Sequence, residues 1–423
     1  MKLRVRKTTR TSIELSWTSY NQGQECYDIF QDGIQINSEP LHSNTYIAKD
    51  LSPNTGYHFQ VITHQPPRIS HEITAYTSKA VGKTLESSAT EGSLKLPVSN
   101  LALQLEYRGP VFSDPNYYYW CISPIEDENG KIHLFTARWE AKYGMDGWQT
   151  DCEIVRAVSD NPEGPFTVEQ TVLAKGKTLP QGQFSPHNSR IKKIDGRYCL
   201  IYIVQTKKRD LSGMKIGLAI SDSLEGEWKL AGHDGIVVQS KDTGWTQNSP
   251  IGTDNPDILK VGEKYYIYFK SGQQTGFPRG GYGVAISENL EGPYQIYNMD
   301  VPITDNCNYI EDATAFSCNG KIYLLSTDNF GTNSNTKEFG YGILWESEDG
   351  LSFQLKNAKV GFGVLSDYYH IPDYATYPYG MTGKFERPAI LFQNGKATYF
   401  YAANGTNVDG VEATQNYVLK ILS

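Results

Sequence analysis

DNPDILKVGEKYYIYF, Asp254 to Phe269, carries the pattern that decides the fold. Polar residues precede a proline and an apolar strand; Gly262 to Lys264 make a turn; a second strand follows, crowded with Tyr265, Tyr266, Tyr268 and Phe269. The same order returns as ISPIEDENGKIHLF from Ile122, HNSRIKKIDGRYCLIYI from His187, EDATAFSCNGKIYLL from Glu311 and ERPAILFQNGKATYFY from Glu386. With the small residue as register mark, the copies fall at Pro124, Ser189, Pro256, Ala313 and Pro388, separated by 65, 67, 57 and 75 residues. Repeats this long, built only from strand pairs, imply sheets set around a ring, because one such sheet cannot bury both faces alone. The fold class is therefore all-β, and residues 101–423 read as a five-bladed β-propeller.

A second phrase runs in antiphase: AVSDNPEGPF to Phe166, AISDSLEGEW to Trp228, AISENLEGPY to Tyr294 and WESEDGLSF to Phe353. Its serines Ser159, Ser221, Ser287 and Ser347 step by 62, 66 and 60 residues. Each blade thus reads as four strands. The fifth lacks this phrase; its third strand is QNYVLKIL, and its outer strand is expected from around Arg108 to Phe112, which closes the ring and hides the sheet edges.

Residues 1–85 lack both phrases and alternate as short strands. SIELSW ending at Trp17, YDIFQDGIQI from Tyr27, and LSPNTGYHF containing Tyr57 resemble the fibronectin type III pattern of a core Trp and a corner Tyr. The resemblance implies a β-sandwich used as a spacer or docking module. Residues 86–100, rich in Ser, Glu and Gly, read as a linker.

Acidic residues exceed basic ones, 47 to 39, for a net charge of −8 without long runs of either sign. That excludes nucleic acid or an anionic membrane as the main partner, since both select clustered Lys and Arg. No apolar stretch approaches the ~20 residues of a membrane span. Six cysteines are too sparse for a disulfide framework and show no metal-type pairs. Met1-Lys2-Leu3 leads into strand sequence without a signal-type apolar region, consistent with the cytoplasm, or with export if a signal has been removed.

In a propeller the residues opening the inner strands crowd one mouth of the central channel. Those positions hold His187-Asn188, Asp254-Asn255, Glu311-Asp312 and Glu386-Arg387, so three blades bring carboxylates. Carboxylates held close together split their pKa values into a proton donor and a base, which glycosidic hydrolysis requires. A structural plug of mutually satisfied groups is the bland reading.

WCISPI followed by Ala137-Arg138-Trp139, SPHNSRI, TDNPDI, YIEDATAF and FERPAILF resemble motifs of the propeller glycosidases of families 43 and 117 and their relatives. The resemblance covers about residues 100–423. It implies Glu311 as general acid, Asp254 as the residue positioning substrate, and a first-blade carboxylate as base. Where the family shows Asp-Pro, this chain has Ser123-Pro124, so Asp114 upstream is nominated as base and Glu386 is the fallback. Arg138, Trp139, His187, Asn188, Asn255, Asp312, Glu386 and Arg387 are expected to bind substrate, Arg138 and Arg387 by forking onto hydroxyls or a uronate. No metal or cofactor is required; a calcium ion in the channel is compatible with the architecture, although no ligand spacing demands it. The function expected is an exo-acting, inverting glycoside hydrolase on a plant- or algal-derived oligosaccharide. The alternative is a glycan-binding propeller that has lost its first-blade base.

Overall fold

The computed structural model describes residues 1–19, 25–64, 67–79, 96–112, 114–272, 281–305, 310–328, 341–370, 383–408 and 411–422. The linker reading over 86–100 therefore falls largely outside the described residues. No helix among them is long and apolar enough to cross a membrane.

The repeats fold as five consecutive antiparallel sheets. Their innermost strands are Tyr117–Glu126, Pro186–Ile194, Asp254–Val261, Ile310–Cys318 and Glu386–Gln393; three strands follow outward in each, and in the second sheet the short Ile236–Val238 adds a further one. In the fifth sheet the outermost strand comes from upstream: Leu105–Pro110 pairs with Val411–Ile421, with Leu105 opposite Ile421 and Pro110 opposite Tyr417. The closing strand therefore begins three residues earlier than the expected Arg108. Each innermost strand touches the next, and the fifth touches the first. Between neighbouring sheets lie apolar clusters such as Ile201, Ile267 and Phe269, between the second and third, and Phe135, Ile154 and Leu200, between the first and second, all fully buried. Burial of that kind, about 25 cal/mol per Å² of apolar surface, is what repeated sheets gain by stacking.

Every innermost strand breaks register with its neighbour near its start: at Trp120/Ser123, His187/Arg190, Asp254/Asp257, Glu311/Thr314 and Glu386/Ala389, the fifth breaking again at Leu391/Phe392. The first residue inside each break near the start has positive φ: Cys121 at 61°, Asn188 at 49°, Asn255 at 47°, Asp312 at 67° and Arg387 at 52°. Five matching β-bulges re-aim the side chain in front of each, here toward one end of the ring. The bulges correct the sequence register. In the first sheet the equivalent of Pro256 is Ile122, not Pro124, and the side chain equivalent to Asp254 is Trp120.

Buried arginines tie the bulges together. Arg190 donates to the carbonyls of Pro388 (2.9 Å), Asp312 (3.2 Å) and Ile122 (3.4 Å). Arg387 donates to Asp312 Oδ1 (3.4 Å) and the Asn188 carbonyl (3.2 Å), with Cys121 Sγ 3.1 Å from its Nε. Four of the five sheets thereby share two guanidinium groups on the axis.

Residues 3–76 form two further sheets, one of Leu3–Thr8, Ile13–Trp17 and Thr45–Ala48, the other built on Tyr27–Gln31 and Gly56–His64. Trp17 and Tyr27 meet edge to face in their shared core, centroids 5.1 Å apart, and Tyr57 Oη accepts from Ser52 N at 2.8 Å.

Candidate active site

At one end of the ring a cavity of about 310 Å³ opens between the bulges. The strand starts deliver Asp254, Glu311 and Glu386 to it from the third, fourth and fifth sheets, with Asn188, Asn255 and Asp312 beside them. His187 and Trp120 come from the second and first sheets.

Two lysines organise the carboxylates. Lys270 Nζ lies 3.3 Å from Asp254 Oδ2 and 3.0 Å from Glu311 Oε2. Lys384 Nζ lies 3.4 Å from Glu311 Oε1 and 2.6 Å from Glu386 Oε1. The result is an arc in which acidic and basic groups alternate: Asp254, Lys270, Glu311, Lys384, Glu386. The two contacts through Lys384, 3.4 and 2.6 Å, bound the nearest Glu311 and Glu386 oxygens at 6.0 Å.

The arc splits the acidities. Burial alone would raise Glu311, but Lys270 and Lys384 outweigh it and hold the group down to about 2. Glu386 moves the other way: burial, then the Asp312 and Glu311 charges, push it up to about 7 against the pull of Lys384. Burial also lifts Asp254 to about 6, opposed by Lys270 and assisted by Glu311. Both glutamates still reach solvent through the mouth, with side chains 19% and 18% exposed.

His187 sits against Trp148, ring centroids 4.9 Å apart, and burial together with the Arg387 charge lowers it to about 3, so it is neutral. Neither of its ring nitrogens has a protein partner, and the same is true of Asn188 Oδ1 and Asp254 Oδ1. Asn188 Nδ2 is used, donating to Asn255 Oδ1 at 2.8 Å. Buried polar atoms without partners are costly, and a cavity lined with them is built for a hydroxyl-bearing ligand or water.

Several expected residues lie elsewhere. Asp114 is outside this cavity: it lines a separate cleft of about 540 Å³ together with Arg138 and residues of the N-terminal sheets, and its Oδ1 accepts from Asn116 N at 2.9 Å. It is not placed to act as base here. Arg138 pairs with Glu153 at 2.8 Å and covers the Tyr117 ring. Arg138 and Trp139 are consecutive on one strand and so face opposite sides of the sheet. Only Trp139 reaches the cavity, buried and donating from Nε1 to the Gly144 carbonyl at 2.8 Å. Arg387 is fully buried and spent on Asp312 and the axis, which removes it from substrate contact. Glu311, expected to donate the proton, is held low by the Lys270 and Lys384 charges, the direction opposite to the one a proton donor needs near neutrality.

Sequence reasoning missed Lys270 and Lys384. Lys270 stands directly across the strand pair from Asp254, and Lys384 lies two residues before Glu386, on the same side of an extended chain. A lysine closing YYIYFK and another opening KFERP were the available signals.

Asp257, the second carboxylate of the third sheet's innermost strand, is already committed to protein partners. It accepts from Thr314 Oγ1 (3.0 Å) and Ala315 N (2.7 Å) and is neutralised by Lys192 at 3.3 Å. Among the described residues no group of three or more His, Cys, Asp or Glu is placed to hold a metal ion.

No family model matches the chain. It is 29% identical over 223 residues to a probable arabinan endo-1,5-alpha-L-arabinosidase C of Aspergillus clavatus, covering 51% of this chain and 61% of that protein. The chain thus spans less than two thirds of that relative's length. Among solved structures, a family 117 glycoside hydrolase from the marine bacterium Zobellia galactanivorans superposes with a TM-score of 0.53 at 18% identity, over 76% of this chain and 91% of that one. Another glycoside hydrolase matches with a TM-score of 0.51 at 14% identity, over 80% of this chain and 94% of its own. The fold is all-β with the propeller of family 117-type glycoside hydrolases.

Proposed function

We propose that the protein is a glycoside hydrolase built as a five-bladed propeller with a fibronectin type III-like module, acting on a plant- or algal-derived oligosaccharide. The observation that carries the reading is the arc of three carboxylates and two lysines, which leaves two carboxyls raised and one lowered inside a pocket with unpartnered polar atoms. The relative's name, an arabinan-cleaving enzyme, supports arabinose-containing chains as the first substrates to try.

Glu386 is the proton donor. Near neutrality it still holds a proton, and its Oε1 is steadied by Lys384 at 2.6 Å. Asp254 is the base, with Oδ1 free of protein partners and an acidity near 6 that leaves it ionised yet basic enough to take a proton from water. Glu311 is too weakly basic for that task. Its fixed negative charge between the two serves the positive charge that grows on the sugar ring as the bond breaks. Trp120 and Trp148 supply the apolar walls.

This division of labour supports inversion: the acid and base flank Glu311 instead of sharing one lysine. The Glu311–Glu386 pair, at most 6.0 Å apart at these oxygens, falls short of the roughly 6.5–9.5 Å of inverting pairs and admits the roughly 5–5.5 Å of retaining ones. Early NMR spectra of the product therefore decide the roles. The inverted anomer is expected; the retained anomer would make Glu311 the nucleophile. The small cavity supports release of terminal sugars, which product sizing tests.

The pH profile follows from the same groups. Asp254 must be ionised and Glu386 protonated, so kcat/KM falls as pH drops below about 6 and as it rises above about 7. The limbs belong to the coupled cluster as a whole. A rate flat from pH 5 to 9 would remove both residues from the chemistry.

Trp120 favours a second reading. The first sheet places an indole where a fourth carboxylate is expected, as in a glycan-binding protein that has lost its base. Calorimetric binding of oligosaccharides without release of reducing ends would select it.

A further inference from the structure

Part of the cavity wall offers a sugar hydroxyl nothing. Leu211 and Met214, at the start of the third strand of the second sheet, line it together with Ile251 from the following connection and Ile203 behind. The patch is continuous: Thr253 N donates to the Met214 carbonyl at 3.0 Å, and a Cβ on Gly252 would meet that same oxygen at 2.2 Å, so the two segments pack without a gap. Leu211 and Ile251 are only half-buried, their apolar surface left open. None of these side chains carries a hydrogen-bonding group. A hydroxyl driven against them would give up its water with no replacement, whereas a methyl group gains by the same move. Elsewhere in the cavity the demand is the reverse: His187, Asn188 Oδ1 and Asp254 Oδ1 lack partners and call for hydroxyls.

We infer that the glycosyl group taken into this cavity carries a methyl substituent, seated on Leu211, Met214 and Ile251, with its hydroxyls turned to His187, Asn188 and Asp254. The inference rests on the glycosidase reading and deepens it. A C-methyl group, as in a 6-deoxyhexose, and an O-methyl ether share the chemistry the patch recognises.

The test uses pairs of 4-nitrophenyl glycosides differing only at that group: 6-deoxyhexosides against their 6-hydroxy parents, and O-methyl pentosides against unsubstituted pentosides. The methyl-bearing member of one series is expected to show kcat/KM at least about tenfold higher, in the range one well-seated methyl provides. The series that responds identifies the source. Leu211→Asn is expected to bring the ratio toward one while changing kcat/KM for the parent glycoside much less. Equal or faster hydrolysis of the parents overturns the inference and leaves the hydrolase standing. Calorimetry with the free methyl-bearing sugars separates the opposite case: selective binding without cleavage keeps this inference and sinks the hydrolase. Neither binding nor cleavage of any pair overturns both.

Discussion

Glu386→Gln is expected to lower kcat on unactivated oligosaccharides by about 10²- to 10⁴-fold, the usual contribution of a positioned general acid. Glutamine keeps the shape and can still accept from Lys384, which approaches Glu386 at 2.6 Å, so folding should be retained. Three signatures separate loss of the acid from a general disturbance. Dinitrophenyl glycosides, whose leaving group departs without a proton, should recover most of the rate. The alkaline limb near pH 7 should vanish, because it is the ionisation of Glu386, raised by burial and by the Asp312 and Glu311 charges. The acid limb from Asp254 should persist. Glu311→Gln should behave differently, losing rate on activated and unactivated substrates alike, since no leaving-group chemistry replaces an anion beneath the ring. Full activity of Glu386→Gln on unactivated substrates would return the acid role to Glu311.

The repeat spacing made the sheets legible, because each blade is a local strand pair and its turn residues are local too. What defeated the reading was register. Ser123-Pro124 looks like the register mark, yet the bulge lies two residues earlier, at Cys121, and Cys121 resembles none of the Asn, Asp or Arg found at the other four. One displaced bulge re-aims the strand, and the search for a first-sheet carboxylate then went to Asp114, which faces another cleft. Arg138 failed for a different reason, being placed beside Trp139 although neighbouring strand residues point apart. The lysines were illegible for another reason. Lys270 lies sixteen residues from Asp254 and reaches it only through hairpin pairing, while its bond to Glu311 crosses between sheets. Sequence could foresee that carboxylates meet; it could not foresee which of them the lysines would hold ionised.

The largest expected effect on stability belongs to Arg387→Met. The arginine is wholly buried, in a left-handed backbone conformation, and its backbone N–H and guanidinium both serve Asp312, at 3.1 and 3.4 Å. It also caps the Asn188 carbonyl at 3.2 Å, so one side chain joins the fifth, fourth and second sheets. Methionine fills much of the volume but leaves a buried carboxylate without its cation, a loss of about 3–5 kcal/mol. Thermal unfolding should shift down by several degrees, with the ring sheets melting earlier and the spectrum of the folded state preserved. Adding Asp312→Asn should restore part of the loss, because the uncompensated charge is then gone, and a double-mutant cycle measures the coupling. Chemistry should move with stability in the surviving folded fraction. Asp312 raises Glu386, and without Arg387 to offset it that push grows, so the alkaline limb should move to higher pH in Arg387→Met and return in the double variant. If Arg387→Met melts within 1 kcal/mol of the parent, the axis is held by Arg190 and the apolar clusters alone.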